Sequence, residues 1–545
     1  MKKIYTLIYL IILYFNGLAQ ITKSNSSITG IVYDSLSLQP LPNANLWLFN
    51  TKFGTTTDKN GYFILSDLPK GNYTLKINFL GYKSFQKQIF LKENQQLNLK
   101  IYLTDSILTT QTITISSYKS DKSNNLGRVN IISQEKIQMN PAINISGIID
   151  YIPGVNVNNT TSIFSTKTVV SIHGLPTNDQ SRTLVILDGI TLNKSDLGSV
   201  NWNLINKNNI EKIKVIKGPG PAKYGSNAMG GVIEITSKKI SEKLSGEISA
   251  SYGSYNTMSL NTLISNSKKY NNNTFYYSLS GTGQRSDGYI TEPKQFIETA
   301  DSIIIPVFFK ELNTNLKSGC IINNKHNFEA QFNYFDDIRS TGIKVFENKG
   351  AHSKHTTYNA YLKYSNYENS KIKYNIAAFY SSEFYNRLYE YLKEGEYMLY
   401  LADVIREDKG INIDIDLNYS KIHNISGGFN YKNGNVKGSG IYYTSSDKVN
   451  NSGNIDNVAL YIQDEINFNK KLILNAGIRY DIAQFTKGLF NIENPSYTLI
   501  FYKNFENENI KSKYWNTINP RINLEYKLSE KFNTYISFAK GFKTP

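Results

Sequence analysis

The sequence predicts a mainly β protein that consists of a small β-sandwich, a mixed α/β unit and a large antiparallel β-barrel spanning a membrane. Three observations predict this class. Aromatic residues make up 13% of the chain, with 40 Tyr and 3 Trp, a composition that is typical of β-structure. The second half of the chain contains runs of roughly ten residues in which polarity alternates. The first residues have the pattern of an export signal, so the barrel belongs outside the cytoplasm.

The N-terminus has the three parts of a secretory signal peptide. Two lysines follow the first methionine, an apolar run covers residues 4–15, and Gly17 and Ala19 are small residues at the positions that signal peptidase reads. The sequence therefore predicts a signal peptide over residues 1–19. The apolar run is shorter than the roughly 20 residues that a transmembrane helix needs. An exported chain that lacks such a helix but still belongs to a membrane is either peripheral or a β-barrel.

The charges and the reactive side chains argue against several classes of function. The 60 Lys and Arg against 44 Asp and Glu give a net charge of +16, but the cations are dispersed, which favours scattered solvated charges over a nucleic-acid-binding face. Cys320 is the one cysteine of the sequence, so it forms no intramolecular disulfide. No catalytic grouping can be proposed from spacing, and we expect no enzyme, cofactor or metal site. His352 and His355 have helical metal-pair spacing, but Gly, Ser and Thr flank them, which favours an exposed loop.

Residues 27–103 predict a small all-β domain in which short apolar runs alternate with turns. Residues 58–61 suit a hairpin turn better than a calcium loop, because a calcium loop needs more carboxylates. A spaced set of Gly, Pro, Asp and aromatic residues marks the domain: Gly30, Val32, Asp34, Pro42, Ala44, Thr57, Asp58, Gly61, Tyr62, Phe63, Pro69, Lys70, Gly71, Tyr73, Gly81 and Tyr82. This pattern resembles the carboxypeptidase regulatory-like, transthyretin-like domain. The resemblance implies an accessory β-sandwich without peptidase activity.

A polar linker over residues 104–125 follows, and it contains one short β-prone segment. This segment consists of Thr112, Ile113, Thr114, Ile115 and Ser116. An isolated extended segment in a polar linker suits strand addition to the sheet edge of a partner protein, because main-chain hydrogen bonds supply the affinity. The alternative is that the segment ends the sandwich or begins the next domain.

Residues 126–238 predict a mixed α/β domain of short apolar strands joined by Gly-rich turns. Asp188 and Gly189 favour a tight hairpin with positive φ, and Gly230 and Gly231 permit a sharp entry into the strand that follows them. The characteristic motifs occur in series at residues 148–155, 169–174, 183–190, 210–219 and 224–235. This series is similar to the plug of the TonB-dependent receptors.

The resemblance implies how the plug is used. TonB, driven by an energised inner-membrane complex, pulls a TonB box, and the position of residues 112–116 suits that box. The plug is anchored to the barrel, for which Glu211 and Lys217 are the candidate residues. His173 and Lys217 stand where family plugs usually have Arg. Because Lys cannot pair bidentately with a carboxylate, we expect looser anchoring or different partners.

Residues 239–545 predict a transmembrane antiparallel β-barrel. Aromatic residues near the ends of the alternating runs are typical of strands with one face in lipid and the other in water. Short connections contrast with long polar ones, such as 285–311 and 486–515, which we expect to be external loops. About a dozen to fifteen strands are visible, whereas a plugged barrel of this type has 22. Because an open barrel leaves unpaired edges in lipid, we expect the C-terminal strands to be missing from this sequence.

The resemblance implies an exported receptor of the Gram-negative outer membrane that takes up a scarce nutrient, first of all a ligand of the iron–siderophore type. Its partners would be TonB, outer-membrane lipid and a metal chelate or similar nutrient, with no nucleic acid. The candidate ligand-binding loop at the plug apex consists of Asn178, Asp179, Gln180, Ser181 and Arg182, with an ordinary solvated hairpin as the alternative. Two other functions stay open: import of oligosaccharide or peptide with a surface lipoprotein, and a surface adhesin or signalling receptor that does not transport.

Overall fold

The structure is a computed structural model in which 17 stretches of the chain are described. These are residues 26–35, 37–49, 51–79, 82, 84–104, 129–159, 164–165, 167–175, 180–218, 220, 222–297, 303–366, 371–393, 395–469, 471–496, 508–528 and 532–543. The expected signal peptide and TonB box lie outside the described residues, as do Asn178 and Asp179. The chain divides into two compact units, Met1–Thr114 and Ile115–Pro545.

The N-terminal unit is a sandwich of two small sheets. Its strands are β1 Ser26–Asp34, β2 Asn45–Leu48, β3 Gly54–Thr56, β4 Tyr62–Leu68, β5 Gly71–Asn78, β6 Phe85–Leu91 and β7 Gln96–Leu103. One sheet has the order β4-β1-β7, and the other has the order β3-β2-β5-β6. Strands β1 and β7 run parallel, whereas the remaining pairs are antiparallel. Alternate residues of β1 are buried, so the period of two fixes which face meets the core.

The motif residues of this unit have structural roles. A Cβ at Gly30 would lie 2.1 Å from the carbonyl oxygen of Leu99 on the parallel neighbour strand, so a side chain is excluded there. The Asp34 carboxylate accepts the Tyr82 hydroxyl at 2.6 Å. The Asp58 carboxylate accepts the backbone N–H groups of Asn60 and Tyr62, which is the Asx turn that the hairpin interpretation implies.

The second unit begins with a mixed domain built on a five-stranded sheet. The strands of this domain, five of which form the sheet, are β8 Val129–Ser133, β9 Val155–Asn159, β10 Thr168–Ile172, β11 Thr183–Leu187, β12 Ile190–Thr191, β13 Ile210–Lys217 and β14 Gly231–Ser237. The sheet order is β12-β11-β14-β13-β8, with β11 and β14 parallel, and β9 and β10 form a separate hairpin. Short helices at Gln134–Met139 and Ile145–Ile149 and 3₁₀ turns at Trp202–Leu204 and Lys207–Asn209 pack beside it. We call this domain the plug.

Two backbone features of the plug match the sequence expectation. Asp188 and Gly189 have φ values of 50° and 88° and form the tight turn between β11 and β12. At Gly231, a Cβ would lie 2.3 Å from the carbonyl oxygen of Ile216, so the strand entry excludes every side chain. Beneath the sheet, Trp202 is 2% exposed and packs in an apolar cluster of Ile and Val residues.

Most of the remaining strands in the described part of the chain form one large sheet, which we call the barrel. They are β15 Ser245–Gly253, β16 Thr257–Tyr270, β17 Asn273–Tyr289, β19 Val307–Ile322, β20 His326–Ser340, β22 His352–Asn366, β23 Ile372–Lys393, β24 Glu396–Asn418, β25 His423–Tyr442, β26 Lys448–Asn467, β27 Leu472–Glu493, β28 Glu508–Ile510, β29 Lys513–Lys527 and β30 Asn533–Ala539. From β15 to β27 each strand pairs antiparallel with the next one in this list, β27 pairs with both β28 and β29, and β29 pairs with β30. The mainly β class, with plug and antiparallel barrel, is confirmed.

The barrel has two different ends. The short connections 271–272, 323–325, 367–371, 419–422, 468–471 and 528–532 lie at one end, which we call the turn end. The opposite end, the loop end, carries the longer connections 290–306, 341–351 and 494–512 together with short ones at 254–256, 394–395 and 443–447. Strands β18 Ile303–Ile304 and β21 Ile343–Lys344 pair across two of these loops, and a helical turn lies at Lys294–Ile297. Short turns face the periplasm in outer-membrane barrels.

The two faces of the barrel differ in polarity, as the alternation predicts. Large apolar side chains such as Leu260, Leu279 and Leu362 are exposed on the outer face. The inner face carries polar side chains, including the buried and mutually hydrogen-bonded Asn313, Asn333 and Asn359. Every helix in the described part of the chain is too short or too polar to cross a lipid bilayer.

One sequence expectation about the barrel is wrong. His352 and His355 do not lie in an exposed loop but in strand β22. His355 is buried, and its Nδ1 lies 2.8 Å from Asp337 Oδ1 on the neighbouring strand. The loop ends earlier than expected because Gly350, with φ of 63°, turns the chain directly into the strand.

Candidate functional site

The plug meets the inner face of the barrel through polar side chains, and the hairpin tip at Asp188 is the first of these contacts. The Asp188 carboxylate accepts Lys317 Nζ at 3.1 Å and the hydroxyl and N–H of Ser237 at 2.7 and 2.9 Å. Lys363 Nζ donates to the Asp188 carbonyl at 2.6 Å. The tight turn therefore places one buried carboxylate against two barrel lysines.

The charge of Asp188 is maintained by its surroundings. Burial raises the pKa of its carboxyl, but Lys317, the hydrogen bonds from Ser237, and Lys363 outweigh burial and lower the pKa. Asp188 is therefore ionised at neutral pH, which keeps the two barrel lysines compensated.

The second contact is the plug loop that follows β12. Arg406 on β24 donates to Asp196 at 2.6 Å and to Glu383 on β23 at 3.0 Å. The Ser195 hydroxyl donates to the Asp408 carboxylate, and Lys194 Nζ lies 3.8 Å from Glu383. Two barrel strands, β23 and β24, thus hold one short plug segment.

This segment is held in shape from within the plug. The Asn193 side chain is 1% exposed and donates to the carbonyls of Thr183 and Gly198 at 3.1 and 3.0 Å. Its amide oxygen accepts the N–H of Val185 at 2.8 Å. On the barrel side, Lys432 Nζ donates to the Asn193 carbonyl at 2.7 Å. The contact with the barrel is thus connected to the plug sheet through the hydrogen bonds of Asn193.

A third contact involves Arg479 on β27. It pairs with Asp481 at 2.8 Å and donates to the plug carbonyls of Ala222 and Lys223 at 3.4 and 3.2 Å. A Cβ at Gly225 would lie 2.5 Å from the guanidinium. Position 225 therefore requires glycine, because the Arg479 guanidinium occupies the space that a side chain at this position would fill.

A cavity of about 200 Å³ lies between the plug and strands β23 to β27. Its barrel wall is rich in asparagine, namely Asn375, Asn412, Asn430 and Asn457. Glu234 of the plug lines it too, and although burial raises its pKa, Lys223, Lys214 and the Tyr224 hydroxyl lower it below the ordinary range. The same wall also carries the charged side chains of Asp414, Lys432, Arg479 and Asp481. The wall is therefore largely polar, and its groups can exchange hydrogen-bond partners with water.

The expected anchoring residues make other contacts. Lys217 Nζ donates to the Pro153 carbonyl inside the plug. Glu211 lies 3.4 Å from Lys239, at the start of the connection to the barrel. A role in anchoring stays a prediction for both residues. The observed ion pairs instead set plug carboxylates against barrel cations at Asp188 and Asp196, a pairing that sequence spacing alone could not reveal.

The expected apex residues are partly described. Gln180 is 2% exposed, and its side chain bonds the N–H and carbonyl of Val170 at 2.6 and 2.8 Å. Ser181 is buried as well, and the Arg182 carbonyl accepts the N–H of Gly230. These contacts commit the Gln180 side chain to the plug fold, and ligand binding by this loop stays a prediction.

One plug residue that reaches the loop end was not among the site residues predicted from the sequence. Phe164, between β9 and β10, packs against Tyr289 and Phe309 at ring-centroid distances of 5.5 and 5.3 Å. Tyr289 ends β17 and Phe309 lies near the start of β19, so both belong to the loop end. Phe164 is an aromatic residue within a polar stretch of the sequence, and this pattern could have indicated a contact with the barrel.

Family models match all three parts of the chain. The CarboxypepD_reg-like domain matches residues 28–115, the TonB-dependent Receptor Plug Domain matches 121–232, and the TonB dependent receptor-like, beta-barrel model matches 251–545. Each match agrees with the resemblance drawn from the motifs.

Curated relatives share part of the chain. The vitamin B12 transporter BtuB of Vibrio vulnificus (strain YJ016) is 28% identical over 180 residues, which are 33% of this chain and 28% of BtuB. The ferric enterobactin receptor PirA of Pseudomonas aeruginosa is 31% identical over 133 residues, which are 22% of this chain and 18% of PirA. The matches thus span less than a third of these relatives.

Solved structures show the same fold. The unliganded ferric citrate transporter FecA aligns with a TM-score of 0.61 at 18% identity, covering 77% of this chain and 63% of FecA. The ferric yersiniabactin uptake receptor FyuA of Yersinia pestis aligns with a TM-score of 0.62 at 13% identity, covering 77% of this chain and 65% of FyuA. The chain therefore covers less than two thirds of either structure.

Proposed function

The chain belongs to the TonB-dependent receptors, which are β-barrel proteins of the Gram-negative outer membrane, and we propose that it imports a scarce nutrient with energy supplied through TonB. The named relatives are transporters and receptors rather than enzymes. Outer-membrane lipid would cover the exposed apolar face of the barrel.

The observation that carries this proposal is the polar character of the plug–barrel interface. Its main contacts are ion pairs and hydrogen bonds at Asp188, Asp196 and Arg479, and Ile190 and Phe164 add two small apolar clusters. Polar groups that lose a partner at a wet interface can bind water, so their rearrangement costs less than exposing an apolar core. Such an interface holds a plug at rest and permits it to move under load.

The proposed ligand is of the iron–siderophore type. Support comes from the ferric enterobactin receptor, which is 31% identical over its matched residues. The vitamin B12 transporters among the relatives make cobalamin the second compound to test. The ligand would enter at the loop end, with residues 178–182 as a proposed contact.

We place the TonB box at residues 112–116 and the energising partner in the periplasm. The test is accumulation of labelled ferric siderophores, cobalamin and oligosaccharides by cells that make the full-length protein, with and without these five residues. We expect one ligand to accumulate, and the deletion to abolish its uptake while surface binding persists.

The matched control deletes residues 120–124 from the same linker. This change removes the same length of polar chain but leaves the β-prone segment intact. Loss of uptake with both deletions would refute the box assignment, since linker length alone would then matter. Accumulation of no ligand at all would refute import.

A further inference from the structure

A row of cross-strand partners crosses the outer face of the barrel near the loop end. It runs from Met258 on β16 through Arg285 on β17, Lys310 on β19 and Ile338 on β20 to Lys354 on β22. Three of these five residues are cations, which we call the basic row. They are far apart in the sequence, and the pairing of the strands brings them together.

The basic row points away from the plug. Lys310 precedes by three positions Asn313, whose side chain donates to the plug carbonyl of Leu204 at 2.7 Å. Because successive residues of a strand alternate between faces, Lys310 lies on the outer face. Arg285 and Lys354 share this face, since residues in the same cross-strand row point to the same side. All three cations are exposed.

The depth of the basic row follows from strand β20. Phe328 and Phe332 are 45% and 46% exposed on its outer face, and Ile338 lies ten positions beyond Phe328. Ten residues span about 33 Å of strand, which at a tilt of about 40° is roughly 25 Å of height. This is the height of the apolar band of an outer-membrane barrel. The basic row therefore lies at the border of the lipid band, at the depth of the headgroups on the loop side.

The cations of the basic row have no acid to balance them. Within the described residues, no carboxylate forms an ion pair with Arg285, Lys310 or Lys354. Arg285 Nη2 donates to Met258 Sδ at 3.4 Å, and a thioether is a weak acceptor. The row therefore keeps its positive charge and most of its donors available.

The acids two positions away on the same strands have other hydrogen-bond partners. Asp336 accepts the hydroxyl of Thr356 at 2.7 Å. Asp287 accepts the side-chain amide of Asn256 at 2.9 Å. Neither carboxylate is paired with a cation of the basic row.

The pairing of Arg285 with Lys310 is a second, independent observation. The two cations lie directly opposite each other on neighbouring strands, an arrangement that is destabilising when nothing separates the like charges. Elsewhere on the barrel an exposed cation lies opposite an acid, since Lys448 is the cross-strand partner of Glu493 and pairs with it at 3.0 Å. An anion bound between Arg285 and Lys310 would remove their repulsion.

The wall next to the basic row has open space for an apolar group. Gly283 lies two positions from Arg285, between Leu260 on β16 and Leu312 on β19. A Cβ at Gly283 would meet no atom within 4 Å, whereas Leu260 and Leu312 are 50% and 46% exposed. The two leucines thus flank a shallow groove that leads from the cations toward the middle of the lipid band.

We propose that the basic row and this groove bind a lipid whose headgroup carries a phosphate. The phosphate lies between Arg285 and Lys310 and is also reached by Lys354, because charge-assisted hydrogen bonds to phosphate are strong. One acyl chain lies over Gly283 between the two leucines. This site is on the outer wall of the barrel, so the inference is independent of the proposed import.

The test is native mass spectrometry of the purified full-length protein in neutral detergent, with added phosphatidate or with diacylglycerol that has the same acyl chains. We expect phosphatidate to bind at least about tenfold more tightly, since one hydrogen bond between charged groups contributes about that factor. Equal affinity of the two lipids would overturn the proposal.

A triple variant tests the cations. Arg285→Gln, Lys310→Gln and Lys354→Gln together should reduce phosphatidate binding to the level of diacylglycerol. In detergent without lipid, the thermal midpoint of this variant should not fall, because the substitutions remove repulsion between like charges. Unchanged phosphatidate binding, or a lower midpoint, would contradict an uncompensated basic row.

The matched control removes the same charge at the other end of the barrel. Lys268, Lys269 and Lys325 are exposed and lie at or beside the short connections of the turn end. Lys268→Gln, Lys269→Gln and Lys325→Gln together should leave phosphatidate binding unchanged. An equal loss in both triple variants would show a general attraction of anions and would refute the site.

Two measurements distinguish a lipid from a free anion. Glycerol 3-phosphate carries the phosphate without acyl chains, and we expect it to compete poorly with phosphatidate. Gly283→Leu fills the groove without touching the charges, and it should weaken phosphatidate binding severalfold. Competition by glycerol 3-phosphate as strong as that by phosphatidate would refute the lipid, and full binding to Gly283→Leu would refute the position of the acyl chain. Because this assay needs neither TonB nor cells, failed uptake would leave its outcome unaffected.

Discussion

At the scale of single residues, Asp188 is the contact with the clearest energetic consequence. Its side chain and that of Lys317 are 9% and 12% exposed, and breaking such a pair leaves an uncompensated buried charge. We expect Asp188→Asn to lower the free energy of plug unfolding by about 3 kcal/mol at pH 7. Lys70→Ala removes one partner of an ion pair in the N-terminal unit whose side chains are 71% and 70% exposed. This change should lower the free energy of unfolding of that unit by less than about 0.5 kcal/mol.

The loss of stability caused by Asp188→Asn depends on pH, and the sign of this dependence follows from the pKa of Asp188. Because the folded protein lowers the pKa of Asp188, its stabilisation is complete above the unfolded pKa of about 3.9 and is lost as the pH falls below it. The difference between parent and Asp188→Asn should therefore be constant from pH 5 to 8 and shrink below about pH 4. Denaturant titrations across this range measure it. A difference that grew in acid would contradict the assigned charge.

At the scale of elements, the loop after β12 joins the plug to three barrel strands. A double-mutant cycle of Asp196→Asn and Arg406→Gln isolates one of its ion pairs, and we expect a coupling free energy of about 1–3 kcal/mol. The pair Lys448–Glu493, exposed at 43% and 44%, is the control and should give about 0.5 kcal/mol or less. Equal couplings in the two cycles would contradict a specific grip on the plug.

Trp202 provides the readout for these measurements. It is buried in the plug core, and the chain has 3 Trp in all. Replacing Trp47 and Trp515 by Phe leaves fluorescence that reports plug unfolding alone. The stability of the plug can then be followed without the signal of the sandwich or the barrel.

The elements themselves were largely predictable, and their contacts were not. Alternating polarity predicts strands such as β16, because a period of two separates a lipid face from an interior face. The turn at Asp188 and Gly189 was predictable because Asp followed by Gly favours a tight hairpin in which both residues have positive φ. Arg406 and Asp196, by contrast, are 210 positions apart, and no local pattern connects them. His355 was misplaced for the same reason, since its partner Asp337 lies on another strand.

At the scale of the whole molecule, the proposed import requires that the plug, which polar contacts hold against the inner face of the barrel, moves. The contact between Ala222 of the plug and Gly477 of β27 offers a way to fix it. A Cβ at Gly477 would lie 3.1 Å from the Ala222 Cβ, and a few tenths of an ångström of adjustment bring a cysteine pair into the usual disulfide range of about 3.5–4.5 Å. Cys320→Ser removes the one competing thiol.

The most direct test of the central claim is ligand accumulation by cells that carry Ala222→Cys and Gly477→Cys in the Cys320→Ser background, before and after reduction. We expect the oxidised protein to bind ligand at the cell surface without importing it, and reduction to restore uptake. Each single cysteine variant should import under both conditions. Import by the oxidised double variant at the parental rate would contradict a plug that must move against the barrel wall.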